Sequence, residues 1–166
     1  KSRTLFLDDQ MAYTYEFKAP SLQLITSNDA DFTALSMQGC LSIGKQAGEP
    51  SMPVKPVTLL LPPMKTISEI TVSGTPVTVA TSPTDLTKKP IFPSQPSIPL
   101  GSSEQPDFTM NMDIYSSSSL YPATRYSEYA IGYSHGYAIL SVNLNPVQYS
   151  PRQGTLVYYP KMTVQI

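Results

Sequence analysis

Proline restricts the fold of this chain more than any other residue. Seventeen prolines are spread over 166 residues, and no long stretch repeats apolar residues with the helical period of 3.6. Short apolar and polar alternations, separated by turn-forming residues every ~8–12 positions, are instead typical of β-sandwiches. The pattern predicts an all-β protein, a single antiparallel β-sandwich domain that spans residues 1–166.

The clearest strand–turn–strand signal lies near the end of the chain. Tyr137–Leu144 is rich in β-branched, aromatic and aliphatic residues, and so are Thr155–Tyr159 and Met162–Ile166. In the polar turn between them, Pro151 presets φ and Gly154 can take a positive φ. We predict a β-hairpin whose long arms are these stretches.

The segment Thr81–Pro106 differs from the rest of the chain. Because proline has no N–H to donate, a stretch this rich in proline is not expected in a central ladder. We expect an extended, exposed loop, and loops of this length are usually functional or disordered, two alternatives that stay equally open. A strand is predicted to resume over Asp107–Tyr115, where alternate residues are apolar. The segment holds Pro83, Pro90, Pro93, Pro96, Pro99 and Pro106.

Charge and cysteine content exclude several functional classes. The net charge is -1 and only 14% of the residues are charged, which argues against nucleic acid as a partner. Cys40 is the single cysteine, so no internal disulfide is possible. No apolar run approaches the ~20 residues of a membrane span. Because the chain begins at Lys1 without a Met, we expect a processed or excised piece, with the loss of a signal peptide and of a C-terminal continuation both left open.

One nucleophile and one base are available for a catalytic dyad. Cys40 and His135 are the lone residues of their types, and such a pair can form a cysteine hydrolase dyad. Cys40, however, lies in an apolar strand context where cysteine acts as a small hydrophobe, and His135 lies in a turn rich in Tyr and Gly. We therefore predict no catalytic residue in this chain.

Oxygen-rich turns and clustered tyrosines are the remaining candidate binding sites. Asp8-Asp9 and Asn28–Asp31 carry oxygen ligands that suit calcium, but such clusters between strands are more often solvated turns. A single His and Cys cannot complete a structural zinc site. No metal and no cofactor are predicted. Five closely spaced tyrosines either fill strand faces or form a binding face for glycan or protein: Tyr121, Tyr126, Tyr129, Tyr133 and Tyr137.

Several stretches match a known family in order, over about residues 48–164. Pro146–Pro151, followed by Leu156, Tyr159 and Thr163-Val164, fits the pattern P-x-Q-Y-N-P-x-x-x-x-L-x-x-Y-x-x-x-T-V, with Ser150 in place of Asn. This run resembles the end of the N-terminal prodomain of gingipain-type cysteine peptidases, the caspase-like secreted peptidases of the Bacteroidetes. The upstream stretches that also resemble this prodomain are Gly48–Pro53, Leu59–Pro62, Ile114–Ser116 and Leu120–Pro122, the last with Ala123 where the family has Gly.

The resemblance implies a non-catalytic, all-β prodomain that precedes a catalytic domain. Such a prodomain assists folding and keeps the zymogen latent, so its partner is the cognate catalytic domain, in cis before processing. The location implied is secreted, extracellular or periplasmic. The rival interpretation is a β-sandwich binding or adhesion module of a bacterial surface protein that recognises glycan or protein.

The resemblance also implies an exposed loop that lies along the active-site cleft, with a basic residue in the S1 pocket. The family pattern A-P-S-x-G-x-x-x-[RK] falls here on Phe92–Leu100, where Pro96 replaces Gly and Leu100 takes the basic position. Either the cognate peptidase is not specific for Arg or Lys, or Lys88 or Lys89 is the docked residue, or the domain does not inhibit. The candidate inhibitory residues are Ile98, Pro99, Leu100, Gly101, Lys88 and Lys89.

Overall fold

A computed structural model describes residues 4–7, 10–62, 67–98, 101 and 106–166. These residues form thirteen strands and one short helix. The strands are β1 Thr4–Leu7, β2 Gln10–Glu16, β3 Ser21–Ser27, β4 Ala30–Ser36, β5 Leu41–Ile43, β6 Met52–Leu60, β7 Thr71–Gly74, β8 Val77–Thr78, β9 Ala130–Ser134, β10 Tyr137–Leu144, β11 Val147–Ser150, β12 Thr155–Tyr158 and β13 Lys161–Gln165; the helix α1 is Met112–Tyr115.

The strands pair with antiparallel neighbours throughout the described sheets. Two four-stranded sheets have the orders β1-β2-β13-β7 and β5-β6-β10-β9. A three-stranded sheet has the order β11-β12-β8, and β3 and β4 form a two-stranded sheet. These sheets confirm the expected all-β, antiparallel class and are consistent with a β-sandwich. The assignment of residues 1–166 to a single domain stays a prediction.

The first core lies between the two four-stranded sheets. Val57 and Leu59 of β6 and Val142 of β10 contribute one side, and Val72 of β7 and Val164 of β13 contribute the other. These positions alternate with exposed ones along β6, which is the pattern of a strand with one buried face. The first core therefore holds the two sheets face to face.

The second core lies around the three-stranded sheet β11-β12-β8. All four residues of β11 are buried, and Tyr149 in its middle is fully buried. The second core also receives side chains from β4, from the start of β6 and from the proline-rich segment. Its buried members are Leu35, Met37, Met52, Leu86, Ile91, Tyr115, Val147, Tyr149 and Leu156.

The predicted hairpin turn is present, but it joins different strands. Ser150 pairs with Thr155, and Gly154 takes φ +62 and donates its N–H to the Pro151 carbonyl at 3.1 Å. Tyr137–Leu144 is a strand with the expected bounds, yet β10 pairs with β6 and β9 rather than with β12. The chain leaves that sheet at Pro146, which has no N–H to continue a ladder. The first arm of the hairpin is therefore the short strand β11.

The strand predicted over Asp107–Tyr115 is wrong. Residues 106–111 form no strand, and Met112–Tyr115 is a single helical turn. Asn111 begins this turn, because its side-chain oxygen accepts hydrogen bonds from Asp113 N at 3.1 Å and Ile114 N at 3.4 Å. The local capping bonds therefore prevail over the apolar alternation.

Candidate functional site

The first part of the proline-rich segment belongs to the protein core. Leu86 is 1% exposed and Ile91 is 0% exposed, and both pack in the second core. The hydroxyl of Tyr149 donates to the Leu86 carbonyl at 3.1 Å. The expectation of an exposed loop over residues 81–106 is therefore wrong for this part, because its few apolar side chains are buried against distant strands.

Residues 91–95 run between two other parts of the chain and bond to both. On one side, Phe92 N donates to the Thr33 carbonyl at 2.9 Å and Thr33 N donates to the Pro90 carbonyl at 2.8 Å. On the other side, Ser94 N donates to the Glu49 carbonyl at 2.8 Å. Pro90 and Pro93 fall at positions where no donor is used, so proline is compatible with this strand-like path. We call residues 91–95 the outgoing leg.

Residues 109–111 form a second leg, the returning leg, beside the first. Asn111 N donates to the Gly48 carbonyl at 2.9 Å. Just beyond it, the hydroxyl of Tyr115 donates to the Ile91 carbonyl at 2.6 Å. Burial raises the pKa of Tyr115 well above its ordinary value, so this hydroxyl stays a donor over the physiological range. The helix α1 is thereby bonded to the outgoing leg.

The two legs meet at a neck made of one side chain and three rings. The Gln95 amide bonds to both backbone groups of Thr109: Nε2 donates to the carbonyl at 3.0 Å, and Oε1 accepts from the N–H at 3.0 Å. The rings of Phe32, Phe92 and Phe108 pack together with centroids 5.6 to 6.3 Å apart. The connecting segment, residues 96–107, therefore begins and ends at one place, between Gln95 and Phe108.

The candidate residues of the connecting segment are placed only in part. Ile98 is 49% exposed, and Gly101 is exposed with φ +88. Pro99 and Leu100 lie outside the described residues. Ser97, Pro106 and Asp107 are also exposed, whereas Pro96, next to the neck, is half-buried.

Lys88 and Lys89 lie before the outgoing leg and are paired with carboxylates. Lys88 Nζ is 3.7 Å from Asp85, and Lys89 Nζ is 3.2 Å from Asp31 at the start of β4. The hydrogen bond from Thr26 and the nearby Lys89 ammonium hold the pKa of Asp31 below its ordinary value. Each lysine is therefore paired with a carboxylate outside the connecting segment.

Cys40 and His135 are not arranged as a dyad. Cys40 is half-buried against the second core, and burial raises the pKa of its thiol, which disfavours the nucleophilic thiolate. His135 is exposed in the turn between β9 and β10, where its Nδ1 is 3.0 Å from the Ser134 hydroxyl. No hydrogen bond joins these two described residues, and the geometry offers no nucleophile–base pair.

The structure describes most of the candidate calcium ligands and the clustered tyrosines. Asn28 and Asp29 take φ +50 and +59 in the turn between β3 and β4, and the described residues contain no cluster of three His, Cys, Asp or Glu side chains that could hold a metal ion. Asp8-Asp9 lies outside the described residues. Tyr133 is 78% exposed, whereas Tyr121 and Tyr126 are partly buried and donate to Glu49 and to the Ile70 carbonyl. The five tyrosines therefore do not share one exposed face.

Comparisons with known proteins agree with this architecture. The family model Propeptide_C25 matches residues 5–166. The complex of the pro- and mature domains of RgpB from Porphyromonas gingivalis matches with a TM-score of 0.75 at 15% identity, over 99% of this chain and 83% of that chain. At such identity the likeness shows the fold alone.

A second solved structure has the same degree of likeness. It is described as giving insight into the zymogenic latency of gingipain K from Porphyromonas gingivalis, and it matches with a TM-score of 0.75 at 19% identity, over 99% of this chain and 97% of that chain. A comparison with curated protein sequences finds no match. Within the described part of the chain, no helix is long and apolar enough to cross a membrane. The family match and the two folds confirm the resemblance found in the sequence.

Proposed function

The chain belongs to the C25 propeptide family, and from this membership we propose that it holds the catalytic domain of its own cysteine peptidase precursor latent and assists its folding. As a propeptide it is a non-catalytic part of that precursor, which agrees with the separation of Cys40 from His135. The same membership favours this function over a module that binds glycan or protein at a tyrosine face.

The partner is the catalytic domain, in cis before processing. The two similar structures are described by a complex of pro- and mature domains and by zymogenic latency, and both descriptions support such a pairing. By resemblance to the secreted peptidases of this type, the precursor acts outside the cytoplasm, in the periplasm or the extracellular space.

The connecting segment is the part that docks in the active-site cleft. The neck is the observation that carries this assignment, because it attaches both ends of a proline-rich stretch with exposed residues to the folded protein at one fixed place. A stretch with Pro96 and Pro99 has few conformations to lose on binding, so little of the binding free energy is spent on ordering it. Proline also lacks the N–H with which a substrate strand pairs to a protease, which protects the segment from cleavage.

The residues that enter the cleft are Ile98, Pro99, Leu100 and Gly101. No Lys or Arg occurs from Pro90 to Pro106, so the segment offers apolar side chains rather than a cation. Lys88 and Lys89 lie on the other side of the buried outgoing leg and are paired with Asp85 and Asp31. We therefore assign the specificity position to Leu100 and not to either lysine.

Inhibition of the mature peptidase by the separate chain tests this proposal. Leu100→Asp places a carboxylate where an apolar contact is expected, and the inhibition constant rises at least ~10-fold. The matched control is Ser103→Asp, which adds the same charge nearby and changes the constant by less than about threefold. Lys88→Ala with Lys89→Ala has no effect. Absence of inhibition by the unmodified chain would contradict the latency function, and equal effects of the two Asp variants would contradict the assignment of Leu100.

A further inference from the structure

A side chain, not the backbone, closes the neck at its outer end. In the described residues the two legs exchange no backbone hydrogen bond with each other, and beyond Gln95 the outgoing leg has no donor to offer, because Pro96 lacks an N–H. The Gln95 amide supplies one donor and one acceptor to the peptide groups of Thr109, as an opposing strand would. Its Nε2 also donates to the Pro93 carbonyl at 3.0 Å, which fixes the side chain to its own leg.

Gly48 joins the same two legs through its backbone, at Ser94 and Asn111. Its N–H donates to the Ser94 carbonyl of the outgoing leg at 2.6 Å, and its carbonyl accepts from Asn111 N of the returning leg at 2.9 Å. Gly48 has φ +87, and a Cβ there would lie 3.0 Å from Asn111 N and 3.1 Å from the Thr109 side chain. Gln95 and Gly48 are therefore two successive cross-links between the legs.

We infer that Gln95 is a positioning residue for latency: its amide holds the two legs at a fixed separation, so that the two points between which the connecting segment runs are fixed before the chain meets the peptidase. This inference rests on the proposed function. Without the amide, the Phe32, Phe92 and Phe108 rings and the Gly48 cross-link still anchor the legs. The protein therefore stays folded, but the distance between the start and the end of the connecting segment is no longer fixed.

Two substitutions remove the amide in different ways. Gln95→Met keeps the length of the side chain but makes no hydrogen bond to Thr109. Gln95→Glu keeps the acceptor but turns the donor that faces the Pro93 and Thr109 carbonyls into a carboxylate oxygen, which repels them. Each variant is expected to raise the inhibition constant about 10-fold, from the loss of two or three hydrogen bonds and of preorganisation. Gln153→Met, in the exposed β11–β12 turn, is the matched control and leaves the constant unchanged.

The decisive measurement separates positioning from a loss of structure. A second background replaces residues 96–107 with a Gly/Ser linker of equal length, which by the proposed function abolishes cleft docking. If Gln95 acts through the connecting segment, Gln95→Met changes residual binding in that background by less than about twofold. In the otherwise unmodified chain, the same substitution accelerates hydrogen exchange at the Thr109 N–H and leaves the Tyr149 N–H protected.

Each outcome has a distinct meaning. If the unmodified chain inhibits and both Gln95 variants inhibit equally well, the positioning role is wrong and the proposed function stands. If the variants weaken binding to the same extent in both backgrounds, or expose the Tyr149 N–H, Gln95 is a structural residue and the inference is also wrong. If the unmodified chain does not inhibit, the proposed function fails and the inference fails with it.

Discussion

The burial of Leu86 makes a quantitative prediction about the proline-rich segment. Leu86→Ala removes three carbon atoms from a side chain that is 1% exposed, which costs about 2.4 kcal/mol at about 0.8 kcal/mol for each methylene-sized group. The cavity that remains against Tyr149 and Leu156 raises the expected loss to about 3 kcal/mol. For a domain of this size, that loss lowers Tm by about 6–12 °C.

The control lies in the same segment and removes a side chain of similar size. Ile98 is 49% exposed, so Ile98→Ala is expected to change the free energy of unfolding by less than about 0.5 kcal/mol. Urea denaturation followed by circular dichroism measures both variants. If residues 81–106 were an appended arm, as the proline content alone suggests, the two substitutions would cost the same. A loss below about 1 kcal/mol for Leu86→Ala would therefore refute the burial argument.

Three further predictions concern a turn, a buried phenol and the lone thiol. Gly154→Ala should cost at least about 1 kcal/mol more than Gly136→Ala in urea denaturation, because both glycines have positive φ but only at Gly154 does a Cβ meet Thr87, at 2.7 Å. Burial raises the pKa of Tyr149 to about 12, so as the pH rises the unfolded chain loses the phenol proton before the folded protein does. The free energy of unfolding should therefore fall between about pH 10 and pH 12, and less steeply in Tyr149→Phe. A flat profile would contradict the burial of this phenol. Burial also raises the pKa of the Cys40 thiol, so alkylation at neutral pH should be slower in the folded protein than in urea, and equal rates would contradict this.

Local turn chemistry made parts of the fold predictable. Pro151 and Gly154 define the turn at 150–154, and the bounds of Tyr137–Leu144 follow from its composition. The partner of that strand did not follow, because sheet neighbours are selected by packing between distant residues. Leu140 and Val142 lie on β10, which pairs with β6, and both are buried in the core between the two four-stranded sheets. Nothing in the adjacent sequence encodes this pairing.

Two features were missed for different reasons. The helical turn Met112–Tyr115 has a local signal, since Asn111 is a preferred capping residue and Asp113 follows in the first turn, but the apolar alternation of the same stretch favours a strand. The burial of Leu86 and Ile91 had no periodic signal, because prolines interrupt the segment and its partners, Thr33 and Tyr149, are far away in sequence.

The site shows the same limit more sharply. The family resemblance indicated Phe92–Leu100 as the docking segment, because its motifs lie on both sides of it, and this assignment stays a prediction. The hydrogen bonds from Gln95 to Thr109 were not predictable, since a glutamine among serines and prolines is typical of an ordinary surface position. Only the fold brings the returning leg beside it. Gly48 had only a weak signal, a glycine before Glu49-Pro50 in a loop.

Competition for the active-site cleft tests the central claim most directly. The mature peptidase is first modified at its catalytic cysteine with a peptidyl chloromethyl ketone that fills the cleft, and binding of the chain is then measured by calorimetry. The account predicts that affinity for the blocked enzyme is at least ~10-fold lower than for the free enzyme, and that the Gly/Ser-linker variant of residues 96–107 binds both forms equally. Equal affinity of the unmodified chain for blocked and free enzyme would contradict docking of the connecting segment in the cleft.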